Sequence, residues 1–305
     1  MSTTRGFLVV PPLAISDANM TTNVPAQAPA WVLGTSYPKA ALVLDPVTRL
    51  VYESLQADNK GHVPGATDSV LWWLKKGVEN RLRMFSGKDG LRTENPDSIV
   101  VKIKPGRVMT HLQLFSVRGQ RVQVQVTSED GIVKYDQTVN MVRPSGGGWW
   151  AWYFSEIERE TRVTFWGLPA YSQATITVTV TNTGGIAACG ILVTGRARAY
   201  GNTKWGSSIG FVDFGLKERD EIDGSWNVLE RGYSDTVKYQ VLVEEEMVDR
   251  IRDELIPFRS KPILVIGARH LKSMTAYGYF GSFDQIHVSK GLADCNLEVE
   301  GVLQR

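Results

Sequence analysis

Four carboxylates crowd into the stretch KERDEIDG (217–224), at Glu218, Asp220, Glu221 and Asp223. A glycoside hydrolase requires two carboxylates that face each other about 5–10 Å apart across a cleft. Here the acids share one charged hairpin and alternate with Lys217 and Arg219, which is typical of a solvated or subunit-contact face. The stretch also has too few spaced oxygen ligands for a calcium loop. The pattern therefore argues against a catalytic or metal-binding role.

The other residues able to do nucleophilic or metal chemistry are scattered. None of the four histidines (His62, His111, His270 and His287) lies three or four residues from another. Neither HExxH nor GxSxG occurs, so we expect surface or loop histidines. Cys189 and Cys295 belong to no CxxC pair, which predicts two small buried side chains. We therefore expect no enzyme activity, no cofactor and no metal.

Aromatic residues make the stronger case for recognition. Sugars commonly bind against flat aromatic faces, and a small unit cannot fully bury many large rings because it exposes much of its surface. Five such residues fall within 43 positions of one another and are our candidate carbohydrate-binding residues: Trp31, Tyr37, Tyr52, Trp72 and Trp73.

A second aromatic segment, GGGWWAWYF (146–154), begins with three glycines. Taken as a strand, it places Trp150, Trp152 and Phe154 on one face, which suits a sandwich core. Trp149 and Tyr153 then lie on the other face and are candidate interface residues. The alternative is a ligand-binding platform. The glycines do not form a phosphate loop, because no Lys-Ser/Thr pair follows them.

Length and composition limit the class of protein. A chain of 305 residues is long enough for two or three domains. Its 34 basic and 32 acidic residues give a net charge of +2 without a Lys/Arg stripe, which argues against nucleic acid as a partner. The apolar run FLVV ends at Pro11, too early for a signal peptide, and no segment approaches the roughly 20 apolar residues of a membrane span.

The sequence patterns around these residues predict a mainly β protein with four parts. Residues 1–29 read as an extended N-terminal arm with little core of its own, ordering when it docks on a partner. Residues 30–82 form a small aromatic module with a hairpin around DPVTR. Residues 83–200 alternate apolar and polar positions, as in VQVQV and ITVTV, which predicts a β-sandwich. Residues 201–305 combine strands with one helix in EEEMVDRIRDELIPF, a C-terminal α+β unit on an antiparallel sheet.

The module resembles the small chitin- and cellulose-type carbohydrate-binding modules of chitinases over about 45 residues. The resemblance rests on Trp31, Gly34, Thr35, Tyr37, Val43, Tyr52, Asn59, Gly61, Pro64 and Trp72 or Trp73. Ala40 stands where that family usually has glycine. The segment SLQAD (54–58) lacks the exposed aromatic pair typical of the family. The resemblance thus implies the module fold with weak glycan binding.

Nearly the whole chain resembles a group of tailed-bacteriophage virion proteins. The resemblance is carried by segments such as NPDSIVVKIKPGRV, ATITVTVT, KWGSSIGFVDFGLKERDEIDGSWNVLERGYSDTVKYQVLV and CNLEVEGV. It implies a structural protein of the tail tip or baseplate, located in the virion and assembled in the bacterial cytoplasm. Its partners would be other tail proteins and further copies in a symmetric homo-oligomer. A receptor protein that binds a host-surface glycan, and a glycoside hydrolase with an accessory module, are the alternatives.

Overall fold

The computed structural model describes residues 6–88, 90–143, 148–154, 159–219, 224–289 and 291–302. The N-terminal strands are β1 (Gly6–Val10), β2 (Met20–Thr22), β3 (Ser36–Tyr37), β4 (Leu42–Leu44), β5 (Leu50–Ser54), β6 (Asn59–Lys60) and β7 (Trp73–Val78). The central strands are β8 (Thr93–Ile103), β9 (His111–Phe115), β10 (Arg121–Thr127), β11 (Val133–Asn140), β12 (Val163–Trp166), β13 (Thr175–Cys189) and β14 (Ile191–Gly195).

The C-terminal strands are β15 (Arg198–Thr203), β16 (Ser208–Asp213), β17 (Leu216–Arg219), β18 (Trp226–Leu229), β19 (Tyr233–Glu244), β20 (Ile263–Ile266), β21 (Thr275–Ser289) and β22 (Leu292–Gly301). Two α-helices occur in the described chain, α1 (Gly148–Phe154) and α2 (Val248–Leu255). The prediction of a mainly β protein with antiparallel sheets is confirmed. None of the helices in the described ranges is long and apolar enough to cross a bilayer.

Residues 30–82 fold around two small antiparallel sheets. One sheet has the order β4–β5–β7 and the other pairs β3 with β6. The predicted DPVTR hairpin joins β4 to β5, with Val43 opposite Tyr52. Because strands this short bury little aliphatic surface, rings supply most of the core.

The middle of the chain is a β-sandwich, as its alternating pattern predicts. A five-stranded sheet, β11–β10–β13–β8–β2, packs against a three-stranded sheet, β12–β9–β14. Val122, Val124 and Val126 pair with Val180, Val178 and Ile176 of β13, and all six are buried. The intervening Gln and Thr residues lie on the opposite face of the sheet.

The C-terminal strands close into a barrel. Its order is β15–β1–β20–β21–β22–β19, and β19 pairs in turn with β15. Gly201 makes this closure possible, because a Cβ at this position would lie 2.3 Å from the Leu242 carbonyl oxygen. The predicted helix is present as α2, which packs Ile251 and Leu255 into the barrel core.

The prediction of an N-terminal arm without a core of its own is wrong for residues 6–10. This segment is β1, which lies between β15 and β20, and Phe7, Leu8, Val9 and Val10 are buried. Phe7 contacts the ring of Tyr239 edge-on in the barrel core, with centroids 5.5 Å apart. The apolar run is thus covered by strands of the same chain, which begin nearly 190 residues later in the sequence.

The sandwich and the barrel share a hydrophobic interface. Leu8, Leu264 and Tyr277 of the barrel cluster with Phe115, Ile191 and Val193 of the sandwich. An ion pair between Arg162 and Asp235, with 2.5 Å between nitrogen and oxygen, also crosses this junction. The two units are therefore held together by a hydrophobic cluster as well as by charge.

Candidate interaction surfaces

Most of the aromatic residues proposed to bind sugar form the core of the module. Tyr37, Tyr52 and Trp73 are buried around Val43. The Tyr37 hydroxyl accepts a hydrogen bond from the Val32 N–H at 2.8 Å, and the Trp73 indole N–H donates to the His62 carbonyl at 2.8 Å. Because their rings are packed in the module core, these three side chains cannot present a flat face to a sugar.

The other two candidates, Trp31 and Trp72, are only partly buried against this core. Trp72 stacks on the His62 ring, with centroids 3.9 Å apart and an angle of 13° between the planes. One face of Trp72 is thus covered by imidazole. The five predicted residues therefore leave at most two partial aromatic surfaces.

The segment 148–154 is a helix, not the predicted strand, and Trp150 is not core. Its side chain is 63% exposed, and Phe154 is also exposed. Five of the six residues 149–154 are aromatic. Both the two-residue period of a strand and the 3.6-residue period of a helix therefore place rings on every face, so alternation could not identify a strand. Helical spacing brings Trp150 and Phe154 to a centroid distance of 4.2 Å. The side chain of Trp152 lies outside the described residues.

The two interface candidates of this segment, Trp149 and Tyr153, are exposed by 76% and 69%. No acidic or basic residue lies in α1. Helix α1 thus presents at least four large rings to solvent on seven residues. Exposed apolar patches of this kind mark contact surfaces for a partner.

A larger uncovered surface runs along one edge of the barrel. Strand β16 pairs with Tyr233–Lys238 of β19, beyond the point where β15 ends, and all six of its residues are exposed. The two-stranded β17–β18 hairpin follows it, and every residue of its two strands is exposed. The exposed large apolar side chains of β16, the hairpin and the residues between them are Ile209, Phe211, Val212, Phe214, Leu216, Trp226, Val228 and Leu229.

The opposite edge of the same sheet is also unpaired. Strand β20 pairs with β21 only from Thr275 to Gly278, and the remainder of β21 pairs only with β22 among the described strands. Strands β21, β22, β19 and β16 thus form a four-stranded antiparallel sheet, here called the C-terminal sheet, with two open edges. Sequence reasoning missed these edges because pairing partners are not local in sequence.

The acidic stretch 217–224 begins in this exposed region. Glu218 lies on β17 opposite Asn227 of β18, and Lys217 pairs with Asp213 at 3.1 Å. Asp220, Glu221 and Asp223 lie outside the described residues. Lys217 and Glu218 therefore belong to an exposed hairpin surface, as the sequence indicated for this stretch.

Among the histidines, His111 departs from the predicted surface location. It is fully buried on β9 against Trp166, whose ring lies under the Arg269 guanidinium. Burial, together with the charge of Arg269, lowers the pKa of His111 to about 3. The two cysteines are buried, as predicted. No group of three His, Cys, Asp or Glu side chains suited to a metal occurs in the described part of the chain.

No protein family and no curated protein matches this sequence. Among solved structures, the chain is similar to a selenomethionine-labelled mutant of chitosan-binding module 1 from a chitosanase/glucanase of Paenibacillus sp. IK-5. The two are 12% identical, and the match covers 38% of this chain and 83% of that module with a TM-score of 0.26. This is a weak likeness to a carbohydrate-binding module, and no ligand of this chain follows from it.

Proposed function

We propose that this protein is a structural component of a bacteriophage tail tip or baseplate that assembles as a ring of identical copies. The observation that carries the proposal is the pair of open edges on the C-terminal sheet, β16 on one side and the second half of β21 on the other. The resemblance of the sequence to phage virion proteins is the reason for proposing a phage tail as the location. The protein would act within the virion, next to other tail proteins, and without catalysis.

The strand directions favour head-to-tail assembly. Successive strands of the C-terminal sheet are antiparallel, so β16 runs opposite to β21. If β16 of one copy pairs with β21 of the next, the alternation of directions continues without interruption. A contact between two different surfaces of the same chain is heterologous, and it closes into a ring when the rotation permits.

The edges also lack two of the features that keep edge strands apart, namely lysine and proline. Proteins protect exposed edges with lysine, proline or short strands. Strand β16 reads SIGFVD and the second half of β21 reads YFGSFDQIHVS, and neither contains lysine or proline. Phe211 in the middle of β16 is 72% exposed, so pairing would also remove apolar surface from water.

The mass of the full chain in solution tests this proposal. Native mass spectrometry at micromolar concentration should show a defined multimer, and Phe211→Lys, which places a charge on the edge strand, should shift it to monomer. Val47→Lys is the matched control, because Val47 is 87% exposed on a turn of the module and the variant should assemble normally. A monomeric wild-type chain, or equal masses for the two variants, would contradict ring assembly through β16.

Glycan binding by the module is a second candidate function, favoured by the partial exposure of Trp31 and Trp72. One or two partial faces should give a dissociation constant of about 1 mM, or roughly 4 kcal/mol. Titration of the full chain with chitin oligosaccharides, followed by NMR, should shift the indole signals of these two residues only weakly. Micromolar binding abolished by Trp31→Ala would instead make receptor recognition the leading function.

A further inference from the structure

A pocket of about 340 Å³ opens at the junction between the sandwich and the barrel. Three arginines line it, together with three side chains that carry hydroxyl groups: Arg92, Arg118, Arg159, Ser116, Thr161 and Tyr233. No carboxylate is among its described lining residues. We call this site the arginine pocket. Its charge stands out on a chain whose basic and acidic residues nearly balance.

The backbone around the arginine pocket is held in place on several sides. The Val117 N–H donates to the Thr161 carbonyl at 2.9 Å, and Arg118 exchanges two backbone hydrogen bonds with Ala188, at 2.8 and 2.9 Å. Ser116 has a φ of +51°, in the left-handed region that favours glycine. Strained positions of this kind concentrate at binding sites, where the surrounding structure imposes them.

Two of the arginines in this pocket, Arg118 and Arg159, differ from their neighbours in the chain. Arg143 pairs with Glu160, and Arg162 pairs with Asp235. Arg118 and Arg159 form no ion pair with a described residue, and both are exposed. The guanidinium group is a planar fork of donors that matches the oxygens of a carboxylate or phosphate. An anion bound between Arg118 and Arg159 would offset the repulsion between their two positive charges.

We propose that the arginine pocket binds an anionic sugar, with Arg118 and Arg159 holding its carboxylate or phosphate group. The Thr161 hydroxyl can exchange hydrogen bonds with sugar hydroxyls, and the half-exposed Tyr233 ring can cover an apolar sugar face. The volume lies at the lower end of the roughly 300–1,000 Å³ typical of small-molecule sites, which suits a short saccharide. The site includes none of the module aromatics. Its Tyr233 ring contacts Phe211 of β16 edge-on, with centroids 6.4 Å apart, so the site is tested on arginine variants and not on Phe211.

Titration calorimetry of the full chain at low salt tests this site. The probes are trigalacturonic acid, its uncharged methyl ester, glucose 6-phosphate and inorganic phosphate. We expect one of the two charged sugars to bind at least tenfold more tightly than both the methyl ester and inorganic phosphate. The preferred sugar identifies whether the site takes a carboxylate or a phosphate.

Matched variants locate the binding. Arg118→Gln and Arg159→Gln should each weaken binding of the preferred sugar at least tenfold. Arg121→Gln removes an exposed arginine on β10 outside the pocket, and it should change binding less than twofold. Equal losses in all three variants would mean that binding depends on the net charge of the protein and not on the pocket, which would overturn the proposal.

Two further outcomes would contradict the proposal. If inorganic phosphate binds as tightly as glucose 6-phosphate and trigalacturonic acid does not bind, the sugar contributes nothing. If a ten-residue oligothymidylate binds more tightly than either charged sugar, the site is one for nucleic acid. The multimer mass measured for Phe211→Lys is unaffected by either result, so this proposal and ring assembly fail separately.

Discussion

The module and helix α1 both concentrate aromatic residues, yet they use them in opposite ways. In the module, Trp73 is 5% exposed and bonds to the backbone of His62, although its type and spacing indicated a binding surface. In α1, Trp150 is exposed, although alternation indicated a core position. Aromatic density in a sequence therefore shows that large rings must be accommodated, but not whether they face the protein or a partner.

The physical difference between the two regions is the number of strands available to cover the rings. Strands β4, β5 and β7 wrap a common centre, so the module rings pack on Val43 and on each other. Helix α1 has seven residues, and its described rings contact mainly one another. A ring that lacks a covering sheet stays at the surface, where only a partner can remove it from water.

The contrast predicts a large difference between two tryptophan substitutions. Trp73→Ala should destabilise the module by about 3–5 kcal/mol, the range for loss of a large buried aromatic side chain. Trp150→Ala should change stability by less than about 0.5 kcal/mol, as for exposed positions. Hydrogen exchange of the β5 amides in the full chain measures the first effect, and denaturant unfolding measures the second. Comparable losses in both variants would remove the distinction between the two regions.

The buried imidazole of His111 makes the stability of the protein depend on pH. The pKa of His111 is about 3 in the folded protein, below the ordinary value of 6.5. Between these values the unfolded chain binds a proton that the folded chain does not, so stability falls as the pH drops from about 6.5 toward 3. The contribution is about 3 kcal/mol between pH 7 and pH 4.

The variant His111→Phe isolates this effect. Both ring nitrogens of His111 lack hydrogen-bond partners among the described atoms, so a phenyl ring gives up no described bond. Denaturant unfolding at pH 7 and pH 4 should show that the variant loses less stability than wild type on acidification. Identical losses would mean that protonation of His111 is not coupled to unfolding.

The smallest effect concerns the module backbone at Ala40. Its φ is +67°, a left-handed conformation that costs an L residue about 1 kcal/mol relative to glycine. Part of this is offset by the greater freedom of glycine in the unfolded chain, so Ala40→Gly should stabilise the module by about 0.5 kcal/mol. Ala41→Gly is the control, because Ala41 packs against the module core and should lose stability. Thermal unfolding that shows both changes destabilising would contradict the assignment.

The parts of the fold that could be predicted from sequence rest on local periodicity. Alternating valines predicted the sandwich strands, and the spacing of Ile251 and Leu255 predicted α2. Barrel closure could not be predicted, because Phe7–Val10 pairs with strands that lie far along the chain. The site residues were harder to predict than the strands, because the exposure of a ring or a strand edge depends on which distant strands pack against it.

We propose that this chain makes its contacts through sheet edges left open by the fold, and not through the aromatics of its module. Hydrogen–deuterium exchange at a dilute and an assembling concentration tests this directly. We predict that amides in 208–213 and 279–286 become protected at the higher concentration, while those in 50–54 stay unchanged. Unchanged exchange at both edges, with new protection confined to the module, would contradict the account.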